Sequence, residues 1–257
     1  MKTIRNWRGE LIEVVSSKGG TIAVVNPTDN LITANIRPWP PPEIIQKLYK
    51  SRQIRAYEGA DREAVTAVLG YYSDLQSLHS EDAITWSVFG PVEYSDPQTR
   101  RTFTKSLLDL LALPSSPFEN LTIWLWRRIP HPDTLVLGGP EVDFGIETDD
   151  LVIFGEAKWL SAVGGAQGKA GDKDQITLRS EFFEKYGRVL FGAVSKFVLL
   201  GVSLEGGIVK EGEIQLGNAV LYLREMTWHT LCHIDTHPLS EELRKYLEWK
   251  KSHSRQP

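Results

Sequence analysis

Two β-type runs meet at a short polar turn, and their alternation decides which side chains can stand opposite one another. Glu141-Val142-Asp143-Phe144-Gly145-Ile146-Glu147 alternates polar and apolar residues. After Thr148-Asp149-Asp150 comes Leu151-Val152-Ile153-Phe154-Gly155-Glu156-Ala157-Lys158-Trp159. Two such runs around a two-residue turn signal read as a β-hairpin. A turn at Asp149-Asp150 sets Asp143 opposite Glu156 and Glu141 opposite Lys158. Val142, Phe144 and Ile146 then share a face with Ile153, Gly155 and Ala157, an apolar face expected to pack on a helix. The other face gathers Glu141, Asp143, Glu156 and Lys158 at the end away from the turn. Opposed carboxylates repel and weaken a strand pair, so stability does not account for them. A bound cation would remove the penalty.

A chain of 257 residues accommodates one substantial domain with an appendage, or two small ones. With 41% hydrophobic and 24% charged residues it belongs among soluble globular chains with a packed core. A net charge of −4 argues against coating nucleic acid through bulk charge, while leaving room for a local basic groove. Cys232 is the lone cysteine, which excludes an intramolecular disulfide and points to a reducing compartment. Residues 1–10 are polar, without the apolar core of a secretory signal. The longest apolar stretch, residues 189–204, is interrupted by Ser195-Lys196 and too short to span a bilayer. The expectation is a soluble, cytoplasmic protein with no membrane partner.

Residues 11–15, 21–25 and 31–36 read as short strands separated by turn-rich segments. Pro38-Trp39-Pro40-Pro41-Pro42 then ends the ladder. This defines a small β-rich module over residues 1–58, ahead of a core over 59–228 and a helical segment over 229–257. From Asp61 the spacing of Val65, Val68, Leu69 and Tyr72 is helical. Ser80 caps a second helix over 81–89, which Gly90-Pro91 should stop, and Asp96-Pro97 opens a third with Phe103, Leu107, Leu110 and Leu111 as its buried stripe. Residues 121–129 read as a strand. After the hairpin, residues 161–174 carry four glycines and read as a loop. Asp174 caps a helix over 175–186 with Gly187 as its stop. Strands at 196–204 and 218–228 and a helix over 239–250 complete an α/β sandwich around one sheet, with no internal repeats.

Hard cations such as Mg²⁺ are held by one or two carboxylates and keep waters for substrate and nucleophile. Asp143 and Glu156 suit that ligand role. Lys158, on the same face as Glu156, can orient or deprotonate an attacking water and offset phosphate charge. Pro140-Glu141-Val142-Asp143, then a hydrophobic strand, then Glu156-Ala157-Lys158 resembles the signature of the PD-(D/E)xK nucleases, the restriction-endonuclease-like superfamily. Glu81, opening a helix upstream, matches the place where many members supply a further acidic ligand. Gln175 matches the glutamine that several branches carry on the following helix, although position 179 holds Arg where one branch has tyrosine. The resemblance spans residues 80–186. It implies an α/β fold with a mixed β-sheet flanked by helices, and hydrolysis of DNA phosphodiester bonds. The implied metal is Mg²⁺, with Mn²⁺ able to substitute, and the metal ligands are Asp143, Glu156 and Glu81. Lys158 and Gln175 complete the implied catalytic set. The DNA partner's strandedness is left open, and the N-terminal module or C-terminal helix offers a surface for a homodimer or protein partner.

Two other functions fit parts of the pattern. A nucleic-acid-binding or assembly protein could keep the fold without turnover. A glycosidase could use Asp143 and Glu156 as its carboxylate pair, since opposed strand side chains stand about 5 Å apart. Elsewhere, residues 164–170 lack the glycine and hydroxyl residue of a phosphate-binding Walker loop, having Val163 and Ala170 instead. His229, Cys232, His233 and His237 lack the second ligand pair of a structural zinc site and read as ordinary strand-end residues. Arg100, Arg101, Arg127, Arg128, Lys158, Lys169, Lys173 and Arg179 would form a basic groove if they converged.

Overall fold

The computed structural model describes residues 2–16, 21–33, 36–49, 74–114, 116–132, 139–160, 173–192 and 194–254. The expected helix from Asp61 and most of the glycine-rich segment fall outside them. The chain divides into two compact units, residues 1–94 with 237–257, and residues 95–236. Among the described residues no helix is long and apolar enough to cross a membrane.

The first unit holds an antiparallel sheet of β1 (Lys2–Arg5), β2 (Leu11–Ser16) and β3 (Ile22–Val24), in that order. Of the strand expected at 31–36, the described residues 31–33 and 36 are not in a strand, and β1 completes the three-stranded sheet. Leu31 instead ends a 3₁₀ turn over Pro27–Asn30. Ile32 satisfies its backbone on side chains, its N–H donating to Ser87 Oγ (3.1 Å) and its carbonyl accepting from Trp86 Nε1 (3.0 Å). A buried backbone with such partners needs no ladder.

Helix α1 spans Pro42–Tyr49, and α2 spans Glu81–Glu93. Ser80 caps α2 as expected, accepting from the Ala83 N–H. The helix does not stop at Gly90-Pro91 but carries Pro91 inside it. Gly90 serves close packing here, because a Cβ there would meet the Trp86 indole at 2.7 Å. The C-terminal helix, labelled α7 below (Ser240–Ser254), is tied to this unit by donors from Tyr246 to Asn30 O, Trp249 to Arg5 O and Lys250 to Leu78 O.

The second unit opens with α3 (Pro97–Leu110), capped by Asp96. Its six-stranded mixed sheet has the order β4 (Leu121–Arg128), β5 (Glu141–Thr148), β6 (Leu151–Ala157), β7 (Lys196–Ser203), β9 (Ala219–Thr227) and β8 (Gly212–Leu216). β4, β5 and β6 pair antiparallel, β6–β7 and β7–β9 pair parallel, and β8 runs antiparallel on the edge. The central strands β6 and β7 are buried and largely apolar on both faces, as expected for strands covered on both sides, whereas β5 keeps its alternation of polar and apolar residues. β8, sequence Gly-Glu-Ile-Gln-Leu and largely exposed, carries no hydrophobic run by which the sequence would announce it.

Helix α4 (Gln175–Phe182) crosses between β6 and β7. It runs through a π turn at Phe183–Gly187 into α5 (Arg188–Phe191) and ends at Gly192 (φ 58°), not at Gly187. Helix α6 spans Trp228–Cys232, and α7 belongs to the first unit. Phe182 and Phe183 press on Phe154 of β6 with ring centroids 5.6 and 4.5 Å away, and Phe183 stacks on Phe197 of β7 at 4.8 Å. A helix was expected on the apolar hairpin face. Helix α4 lies on the other face, the one that carries Glu156, because Val152 and Phe154 alternate onto that same face.

His237 of the first unit is buried, its Nε2 donating to Val88 O (2.8 Å) and its Nδ1 accepting from the Leu239 N–H (3.0 Å). Both contacts suit a neutral ring, and burial pushes its pKa from 6.5 down to about 4. The unfolded chain therefore takes up the proton first. The stability this ring contributes is full above pH 6.5 and is lost as pH falls through about 4. The expected loss in denaturant titrations of the full chain across that window is about 3 kcal/mol. His237→Gln should flatten that part of the profile, and an unchanged profile would contradict this account.

Candidate active site at the open end of the hairpin

The register of the hairpin is the expected one, with Phe144 paired to Gly155 and Glu147 to Val152. The ladder ends at Phe144 and Gly155, one step short of Asp143 and Glu156. Beyond that step the strands are joined by side chains. Asp143 Oδ2 accepts from the Ala157 N–H at 2.7 Å. On its other side the β4–β5 ladder pairs Leu125 with Phe144 and Arg127 with Val142, skipping Trp126 and Asp143. Trp126 adopts φ 53°, a left-handed conformation rare for a bulky residue. Backbone outliers of this kind cluster at functional positions. The flanking Gly155 admits the Phe144 ring, which a Cβ there would strike at 2.0 Å.

Lys158 leaves the hairpin altogether. Its N–H donates to Val202 O of β7 (2.8 Å), and its carbonyl accepts from Trp228 Nε1 (2.8 Å). Its backbone is thus fixed from both sides. Glu141 stands across from Arg128 of β4 in register, rather than opposite Lys158, with Arg128 Nε 4.0 Å from its carboxylate. The physical cause is the early end of the β5–β6 ladder, which sends the two strand ends to different neighbours.

Glu156 is 4% exposed and both its oxygens meet cations. Lys158 Nζ lies 2.8 Å from Oε1 and also donates to the Ala157 carbonyl at 3.0 Å. Arg179 Nη2 lies 3.2 Å from Oε2 and also donates to the Glu141 carbonyl at 2.5 Å. Arg179 is 1% exposed, and its Nη1 is buried with no hydrogen-bond partner. One helical turn earlier, Gln175 Oε1 is likewise buried with no partner. Residues four apart share a helical face, so an acceptor and a donor without partners stand on one side of α4.

The fold explains why Arg179 reaches Glu156. Arg179 lies four residues before Phe183 on the helix, about 6 Å of rise. Glu156 lies two residues beyond Phe154 on the strand, about 6.6 Å. With Phe183 seated on Phe154, Arg179 is carried onto Glu156. Arg179 as a partner of Glu156 is the residue sequence reasoning missed; the signal was present in its spacing from Phe183, but only the contact with Phe154 gives it meaning.

The structure therefore brings together Asp143, Glu156 and Lys158, with Gln175 on the helix that carries Arg179. Glu81, expected as a further ligand, opens α2 in the first unit. Several of the other basic residues have partners of their own. Arg127 stacks over Trp124 and lies 3.9 Å from Glu147, Lys173 pairs with Glu181, and Arg101 donates to Glu119 O. Lys169 and the expected loop around it lie outside the described residues. His229 and His233 stack at 4.1 Å, and His237 occupies both its nitrogens as described above.

The donors suit a hard cation. Among the described residues no group of three or more His, Cys, Asp or Glu side chains gathers to hold a metal. Two carboxylates with water and substrate oxygens completing the shell is nevertheless the usual arrangement for Mg²⁺. Asp143 and Glu156 supply that pair, provided one cation on Glu156 yields.

Removing one partner of a buried ion pair leaves an uncompensated charge. Arg179→Met should therefore destabilise the chain by about 3–5 kcal/mol. Adding Glu156→Gln should recover part of the loss, giving a double-mutant coupling of about 0.5–3 kcal/mol in urea unfolding. Strictly additive losses would show that the contact contributes nothing.

The chain was compared with protein-family models, curated proteins and solved structures, and no match was found in any of the three.

Proposed function

We propose that this chain is a metal-dependent nuclease that hydrolyses DNA phosphodiester bonds by a PD-(D/E)xK-type mechanism at Asp143, Glu156 and Lys158. The observation that carries the reading is the convergence of these three side chains where the hairpin ladder ends, Asp143 reaching the Ala157 N–H and Lys158 reaching Glu156. The succession of three antiparallel strands, a crossover helix and a parallel strand supports a restriction-endonuclease-like core.

Asp143 and Glu156 would hold Mg²⁺, which when bound supplies Lewis acidity and a more acidic water. The remaining work falls to the chain. The Ala157 N–H fixes the Asp143 carboxylate. Lys158 Nζ stands 2.8 Å from Glu156, where it can orient the attacking water and offset charge growing on the phosphate. The anchored Lys158 backbone limits where Nζ can go, which favours preorganised charge over search. Gln175 offers an amide oxygen without a partner, an acceptor for the O–H of a water.

Supercoiled plasmid and single-stranded DNA should both be assayed with Mg²⁺ and with EDTA. Cleavage is expected with Mg²⁺ and lost with EDTA. Asp143→Ala and Lys158→Ala should each slow it by about 10²–10⁴-fold. Activity that survives both substitutions would remove these residues from the chemistry. DNA binding without cleavage in any divalent ion would favour the alternative, a nucleic-acid-binding or assembly protein.

A further inference from the structure

Two carboxylates and two cations meet at this site: Asp143, Glu156, Lys158 and Arg179. Their formal charges cancel. Each Glu156 oxygen is already taken, one by Lys158 at 2.8 Å and one by Arg179 at 3.2 Å. A divalent cation approaching the free protein meets a neutral cluster in which Glu156 must first release a partner.

The two partners are not equivalent. Lys158 carries its charge on a flexible four-carbon stem, whereas Arg179 presents a rigid fork. That fork is 1% exposed and spans both strand ends, bonding the Glu141 carbonyl on β5 and the Glu156 carboxylate on β6. Its Nη1 has no partner. A guanidinium released from Glu156 in this setting is a buried cation lacking a counter-charge, which is costly. An anion arriving at the same time removes that cost. A DNA phosphodiester is such an anion, and it can accept from both guanidinium nitrogens.

Resting on the nuclease reading above, we propose that Arg179 is a positioning residue that makes divalent metal and DNA bind synergistically. It holds Glu156 closed to metal in the free protein and transfers its donors to a phosphate oxygen when DNA arrives. Coupling between two ligands is reciprocal, so each strengthens the other by the same factor.

The test follows Mn²⁺ binding by electron paramagnetic resonance, without DNA and with phosphorothioate-substituted single-stranded or duplex oligonucleotides, which resist cleavage. In the native chain either form of DNA that binds should tighten Mn²⁺ by about 5- to 150-fold, the usual range of such coupling. Arg179→Gln should bind Mn²⁺ more tightly without DNA, and DNA should then add little. Arg179→Lys, which keeps the charge but loses the fork, should fall between them. The native comparison needs no variant, so a variant that fails to fold leaves the test intact. Mn²⁺ that binds and supports cleavage with an affinity indifferent to DNA would overturn this inference alone. Mn²⁺ that binds neither with nor without DNA, together with no cleavage, would overturn the nuclease reading and this inference with it.

Discussion

The packing of Phe183 and Phe182 on Phe154 sets the geometry of the second unit's site. Aromatic rings bury large areas and prefer a few arrangements, so the contact fixes helix α4 on the sheet in one register. Everything polar at the site follows from that register. Helix rise and strand rise then nearly match over the distance from the rings to the Arg179–Glu156 pair. A slip of one residue along either element would take the guanidinium off the carboxylate and leave both buried without their partner.

The second organising feature is a sheet that lets go at the right place. Pairing between β5 and β6 stops at Phe144 and Gly155, and pairing between β4 and β5 skips Asp143. A carboxylate inside an intact ladder would point to one face while the backbone alone joined the strands. Here the Asp143 side chain itself takes over as acceptor for Ala157. Lys158 departs toward β7 and Trp228. The site is thus built by three neighbours of one broken hairpin end, with charge of both signs in near balance.

Much of the coarse fold could be read from the residues. The hairpin register, the strands near residues 121, 196 and 219, and the caps at Ser80, Asp96 and Asp174 rest on local chemistry that acts within a few residues. Readings failed where a distant partner intervened. Gly90-Pro91 looks like a helix stop until the Trp86 indole is seen lying on the glycine. Leu31 to Thr33 look like the start of a strand until Ser87 and Trp86 are seen satisfying the backbone of Ile32. The edge strand β8 has too little apolar patterning to be distinguished from a loop. Within the candidate site, Asp143, Glu156 and Lys158 were legible because strand alternation is local, whereas the role of Arg179 was not.

By itself the sequence determined the alternation of the hairpin, its turn and therefore its register, since a one-residue slip would bury every polar side chain on the wrong face. It also determined which carboxylates and which lysine come near the open end. Only the tertiary structure decided where the ladder stops and which helix covers the acidic face. It likewise decided that a buried arginine from that helix would close on Glu156. Those outcomes depend on packing between elements some 25 residues apart along the chain, where no periodicity in either element records the other.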